Sequence, residues 1–215
     1  MELGVMLGLM GQGMLKTCAI FILTLIGSVP LGMIVCKLRK SQFAPVRYVT
    51  KFYISLMRGT PLMLQLLVWY FAPYFMFGMN ISTWRFPAIV VGFVMNYAAY
   101  FAEIYRGGVE SMPIGQYEAA EILGYSKFQT FYKIIMPQVA KRVLPAMTNE
   151  AITLVKDTSL AFTLAYQELF SVTRQIVAGG TSMIPFAVAA LFYYVANYVV
   201  AFVMEKIEKK LDYYK

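Results

Sequence analysis

Histidine is missing from this sequence altogether. That excludes general acid–base chemistry by imidazole, His-ligated metal and His-held haem. Cysteine occurs only twice, at Cys18 and Cys36 in one apolar run. On a helix these thiols stand about 27 Å apart at about 1.5 Å per residue, too far for an intrachain bridge. No Cys-x-x-Cys pair is present to support redox or zinc chemistry, and thiols in such surroundings are expected to be buried small hydrophobes. Charge is scarce as well, at 14% of 215 residues, where soluble domains carry about 25%. No GxxxxGK[ST] loop occurs, so the chain cannot bind and hydrolyse ATP in the usual way.

Apolar side chains fill the space these absences leave. They make up 60% of the sequence, and the mean hydropathy is +0.62. A chain of this length has too few polar groups to cover a water-soluble surface, so an all-α integral membrane protein is expected. A membrane helix needs about 20 mostly apolar residues. Five stretches meet that length, at about 14–36, 52–77, 86–105, 146–169 and 184–205. The fourth carries Glu150, Lys156 and Asp157 within it. Pro30 and the Arg58-Gly59-Thr60-Pro61 stretch interrupt the apolar pattern, and Thr60 before Pro61 reads as an N-cap and first turn where the second segment restarts. The start carries no basic residue before Lys16, so no cleavable signal is expected.

Charge sets the expected orientation. Fifteen of the 19 Lys and Arg, Lys215 among them, fall on one side of such a layout, against Arg85 and Arg174 on the other. The positive-inside rule then places the N-terminus outside and the C-terminus in the cytoplasm. The formal charge of +8 is explained by topology and anionic lipid. No folded basic domain remains to bind nucleic acid.

About forty residues separate the third and fourth segments. Within them, Gln116 to Leu123 reads as a short helix ended by Gly124, the residue that most readily takes the left-handed cap conformation. Ser126 with Gln129 forms a capping box that opens a second helix, expected to stop at Pro137. Composition alone allows an amphipathic connector resting on lipid. The order Glu118-Ala119-Ala120, Gly124, Ile135, Pro137 resembles the EAA motif of ABC importer permeases. Arg58 to Leu62 with Gln65, Ala102 to Val109, and Asn149-Glu150 with Lys156 to Leu160 resemble their polar amino-acid branch. The likeness covers about residues 14 to 205.

The resemblance implies a single transmembrane domain over 1–215, with a coupling region at about 116–137 that docks an ATPase. It implies two ATP-binding subunits carrying ATP and Mg, with no cofactor in this chain. It further implies a second permease chain, identical or homologous, an external substrate-binding protein, and a bacterial cytoplasmic membrane. Small Ala119 and Ala120 suit insertion into a partner's groove, and Glu118 suits a basic partner there.

Polar residues inside a membrane are costly and mark pathways. Glu150, Thr153 and Asp157 share one helical face, and so do Asn96, Tyr100 and Glu103. Gln65, Asn96, Glu150, Asp157 and Ser159 are the expected pathway residues. Alternatives stand beside these roles: Gln65 as an interhelical hydrogen bond, Lys156 and Asp157 as a neutralising pair, Glu103 as a structural interfacial residue. Tyr193, Tyr194 and Tyr198 are expected in the lipid-facing aromatic belt. The competing functions are a self-sufficient channel or secondary transporter and a membrane enzyme or scaffold. Neither internal repeats nor a nucleophile–base pair supports them.

Overall fold

Unbroken apolar sequence gives unbroken helix. The computed structural model describes residues 2–180 and 182–210, and no strand occurs among them; Lys215 lies outside the described residues. Helix α1 (Leu3–Arg39) runs through Pro30 without interruption. It starts eleven residues before the expected position because Met6 and Met10 pack into a small outer cluster with Leu169 and Ala189. Helices α4 (Arg85–Glu110) and α9 (Ile184–Lys210) follow the expected third and fifth segments, each longer at one end or both.

The second segment is two helices rather than one. α2 (Ala44–Gly59) and α3 (Leu62–Phe77) meet at an angle of 114°. Thr60 precedes a proline and is therefore pushed to extended backbone, where it sits at ψ 150°. Its hydroxyl donates back to Leu56 O at 2.8 Å, so it closes α2 instead of capping α3.

After α4, helix α5 (Ile114–Ile122) ends in a Schellman turn. The Tyr125 N–H donates to Ala120 O at 3.0 Å and the Gly124 N–H to Glu121 O at 2.9 Å, with Gly124 at φ +78°. The expected capping box opens α6 (Lys127–Gln129), and both of its hydrogen bonds are formed. This helix does not stop at Pro137. It widens into a π segment (Thr130–Ile135) and continues as α7 (Met136–Asp157). Proline is tolerated there because it stands in the first turn of α7, behind a stretch whose bonding is already displaced from the i→i−4 ladder. A 3-10 segment (Thr158–Leu164) follows α7, and Ala165 turns the chain at φ 51° into α8 (Leu169–Ala178). The expected fourth helix therefore ends before residue 169.

The core lies between α1 and α4, joined by α2, α3 and α7. Close approach is possible because α1 presents small residues: a Cβ at Gly32 would stand 2.8 Å from Phe101 Cβ and 3.2 Å from Ala98 O. Helices α1, α4 and α9 are long and apolar enough to cross a membrane, and the bent α2–α3 pair passes the same test together. Cys18 and Cys36 are both free, with Cys36 buried and Cys18 half-buried.

Candidate functional site

The bend between α2 and α3 leaves carbonyls at the end of α2 without helical partners, and two of the expected pathway residues satisfy them. The Gln65 amide donates to Met57 O at 2.9 Å, Thr60 O at 3.1 Å and Thr60 Oγ1 at 2.8 Å. The Asn96 amide donates to Met57 O and to Gln65 Oε1, both at 2.9 Å. Both side chains are buried. The structure thus brings Gln65 and Asn96 together as an interhelical clamp, the alternative that the sequence left open for Gln65.

The acidic face of α7 is arranged differently. Asp157, at the end of α7, accepts a 2.8 Å hydrogen bond from the hydroxyl of buried Tyr97 on α4. Glu150 lies two turns earlier and is half-buried. It makes no hydrogen bond or salt bridge among the described residues, although the charges of Arg58 and Asp157 act on it. Thr153 and Ser159 are also half-buried along this stretch, whereas Lys156 is exposed. Lys156 and Asp157 form no salt bridge, because Asp157 turns towards Tyr97. A half-buried carboxylate without a partner can accept an ammonium group.

Nearer the end where α1 and α4 finish, Glu103 accepts from Arg106 Nη2 at 2.7 Å and lies 3.7 Å from Arg58 Nη1. Arg106 also reaches Glu110, which pairs with Lys40 at 3.8 Å. Arg58 stacks over the Tyr100 ring at 5.3 Å. Asn96, Tyr100 and Glu103 therefore do share a face, and it meets the end of α2.

Three residues of consequence escaped the sequence. Tyr97 was hidden among aromatics. Glu168 is fully buried and caps α8, accepting from the Phe170 N–H at 2.7 Å, the Ser171 N–H at 2.6 Å and the Tyr193 hydroxyl at 3.3 Å. Thr17 Oγ1 accepts the Leu169 N–H at 3.2 Å, tying α1 to the same point. Tyr193 is therefore a half-buried internal donor and not part of the aromatic belt, unlike the exposed Tyr194 and Tyr198.

The α5–α6 pair stands at the basic end of the bundle. Gln138 of α7 donates to Gln116 Oε1 at 3.3 Å, which pins α5 to the root of α7, and Arg142 donates to Ser111 O at 2.5 Å, tying α7 to the end of α4. Glu118 and Ala119 face outward, whereas Ala120 and Ile135 are buried and Pro137 is half-buried. The Ala120 methyl packs inward against the chain's own helices. The outward apolar groups are Ile114, Ile122, Leu123 and Phe128, with Ile122 86% exposed. Large apolar side chains in such a cluster mark an interaction surface.

Known proteins share this fold. Residues 28–213 match the family described as binding-protein-dependent transport system inner membrane component. The chain is 34% identical over 209 residues to the L-cystine transport system permease protein TcyB of Bacillus subtilis (strain 168), covering 96% of this chain and 88% of that one. It is 33% identical to the arginine transport system permease protein ArtQ of the same organism, covering 93% and 91%. A crystal structure of an amino acid ABC transporter with histidines superposes with a TM-score of 0.86 at 30% identity, covering 94% of each chain. The MetNI methionine ABC transporter in an inward-facing conformation shares the fold, with a TM-score of 0.78 at 18% identity over 98% and 99%. Since the family match runs through nearly all of the helices described above, the chain belongs to the binding-protein-dependent transport system inner membrane components.

Proposed function

We propose that this chain is the permease subunit of an ATP-driven importer that moves a polar amino acid across the bacterial inner membrane by alternating access. The observation that carries the proposal is the α5–α6 pair, pinned to α7 through Gln138 and Gln116 and turning Ile122, Leu123 and Phe128 outward at the basic end. An ATPase chain docking there would move α7 directly, because the π segment joins the docking surface to the helix bearing Glu150 and Asp157. The named amino-acid permeases among its relatives support the substrate class.

Five crossings follow if the bent α2–α3 pair and α7 each count as one. The 22 residues of α7 give about 33 Å at about 1.5 Å per residue, enough for a hydrocarbon core of about 30 Å. The Lys and Arg count puts the α5–α6 end in the cytoplasm and the N-terminus outside. The assembly holds two ATP-binding subunits, which carry ATP and Mg, and a second permease chain, with an external binding protein delivering substrate. In the membrane, Glu150 and Asp157 receive the substrate's ammonium group, with Ser159 in the 3-10 segment that follows and the Tyr97 hydroxyl fixing Asp157.

Proteoliposomes containing the chain with and without its copurifying ATPase test the proposal. Amino-acid uptake should require both the ATPase and ATP inside the lumen corresponding to the cytoplasm. Uptake by the chain alone, driven by an ion gradient, would instead establish the secondary transporter.

A further inference from the structure

Helix α2 has three faces. Thr50, Ile54 and Met57 are buried against the bundle. Lys51, Ser55 and Arg58 follow i, i+4, i+7 spacing and form a second face. Tyr48, Val49, Phe52 and Leu56 form the third and stand exposed, Phe52 at 68%. An ordinary bundle helix has one apolar stripe facing the core; a second, outward apolar stripe bordering a basic one suits a bilayer interface.

The basic face does not lie flat. Lys51, Ser55 and Arg58 line an open cavity of about 330 Å³ together with Arg39 from the end of α1 and Glu103 from α4. Glu103 is the only acid among these residues, and Arg106 already occupies it at 2.7 Å. Arg39 and Lys51 make no salt bridge among the described residues. Three cations thus converge on one concavity with a single, engaged carboxylate. Topology alone would be served by the same charges spread over the loops.

The geometry points to a binding site for the phosphate headgroup of an anionic phospholipid, held by Arg39, Lys51 and Arg58, with its acyl chains along Tyr48, Val49 and Phe52. Basic pockets between membrane helices take such headgroups. The adjoining apolar stripe selects a lipid over free phosphate, because only a lipid fills both faces. The site is distinct from the acidic face of α7, and it couples to it in one respect: Arg58 stacks on Tyr100 and acts electrostatically on Glu150. Assignment to the cytoplasmic leaflet rests on the proposed orientation, but the binding chemistry does not.

The full chain, purified in its native assembly and delipidated in neutral detergent, is titrated with phosphatidylglycerol, phosphatidylcholine or inorganic phosphate and read by native mass spectrometry. Phosphatidylglycerol should bind at least about tenfold more tightly than phosphatidylcholine. Removing Arg39 and Lys51 together (Arg39→Ala, Lys51→Ala) should weaken it by about fivefold per cation, and Lys51→Arg should restore most of its share. Phe52→Ser should weaken the lipid while leaving any phosphate binding unchanged. Equal binding of the two lipids, undiminished binding by the double variant, or displacement of the lipid by equimolar phosphate would each overturn the assignment. If the double variant elutes aggregated, Lys51→Gln against Lys51→Arg supplies the same contrast. Failure of ATP-dependent uptake would leave every one of these readings intact.

Discussion

Replacing Asn96 with leucine separates a clamp from a transport pathway. The two side chains branch alike and carry the same number of heavy atoms, so the chief change is the loss of polarity. Two donated bonds are lost, to Met57 O and to Gln65 Oε1. Met57 O keeps its bond from the Gln65 amide at 2.9 Å, but Gln65 Oε1 is left unpaired in a buried site. A neutral bond contributes about 1 kcal/mol net, and an orphaned buried acceptor costs about 1–3 kcal/mol; interhelical bonds in membrane bundles average about 0.6 kcal/mol. A loss of about 2 kcal/mol follows, about thirtyfold in the folded fraction. The assay is thermal unfolding of the purified assembly, followed by tryptophan fluorescence, run as a cycle with Gln65→Leu. Because the second substitution removes the orphan the first creates, the double variant should lose about 1 kcal/mol less than the sum of the singles. Transport per folded complex should stay near wild type. Unchanged stability with a raised substrate KM would refute the clamp and return Asn96 to the pathway.

Four further outcomes are expected. Gly124→Val forces a β-branched residue to φ +78° at a cost of about 1–2 kcal/mol; ATP-driven uptake should fall while membrane insertion stays normal, and full uptake would remove the docking-turn role. Gly32→Val drives a methyl group into Phe101 and the Ala98 carbonyl, so yield and melting temperature should drop with a strain of about 1–3 kcal/mol; a wild-type melt would contradict the α1–α4 approach. In a chain whose two native cysteines are replaced by serine, Lys127→Cys should label only from the cytoplasm and Thr83→Cys only from outside, and labelling of both from one side would break the five-crossing arrangement. Glu150→Gln should lower uptake per assembled complex at least about tenfold, whereas reduced assembly with intact activity per complex would make Glu150 structural.

Features whose partners are close in sequence were legible before the structure. The Gly124 turn closes within six residues, and the Ser126 capping box within four; each depends on local backbone chemistry that a motif records. The apolar runs likewise marked α1, α4 and α9. Helix boundaries near polar sequence were harder. No glycine or proline between Thr158 and Leu169 announces that α7 tightens to a 3-10 turn and then reverses at Ala165. Pro137 read as a stop because the π segment before it leaves no composition signal. Contacts between distant residues were invisible: Tyr97 meets Asp157 across 60 positions, and Thr17 meets Leu169 across 152.

The same physics sorts the polar residues that the sequence could only collect. Burying a hydrogen-bonding group in a membrane is tolerable when its partners are fixed, and an unpartnered ionised one at the centre costs about 2.5–3.5 kcal/mol. Gln65 and Asn96 satisfy each other and the end of α2. Glu168 is engaged by two backbone N–H groups and Tyr193, and Glu103 by Arg106. Each of these stabilises a particular bend, cap or helix contact and has little capacity left for a ligand. Asp157 accepts one bond from Tyr97 and keeps its other carboxylate oxygen without a hydrogen-bond partner among the described residues. Glu150 has no hydrogen-bonded partner among the described residues, yet it sits half-buried on the helix whose charges keep it from passing as an apolar span. Under the proposed function, a substrate ammonium held by Glu150 and Asp157 would offset that cost, whereas Gln65 and Asn96 already have their partners.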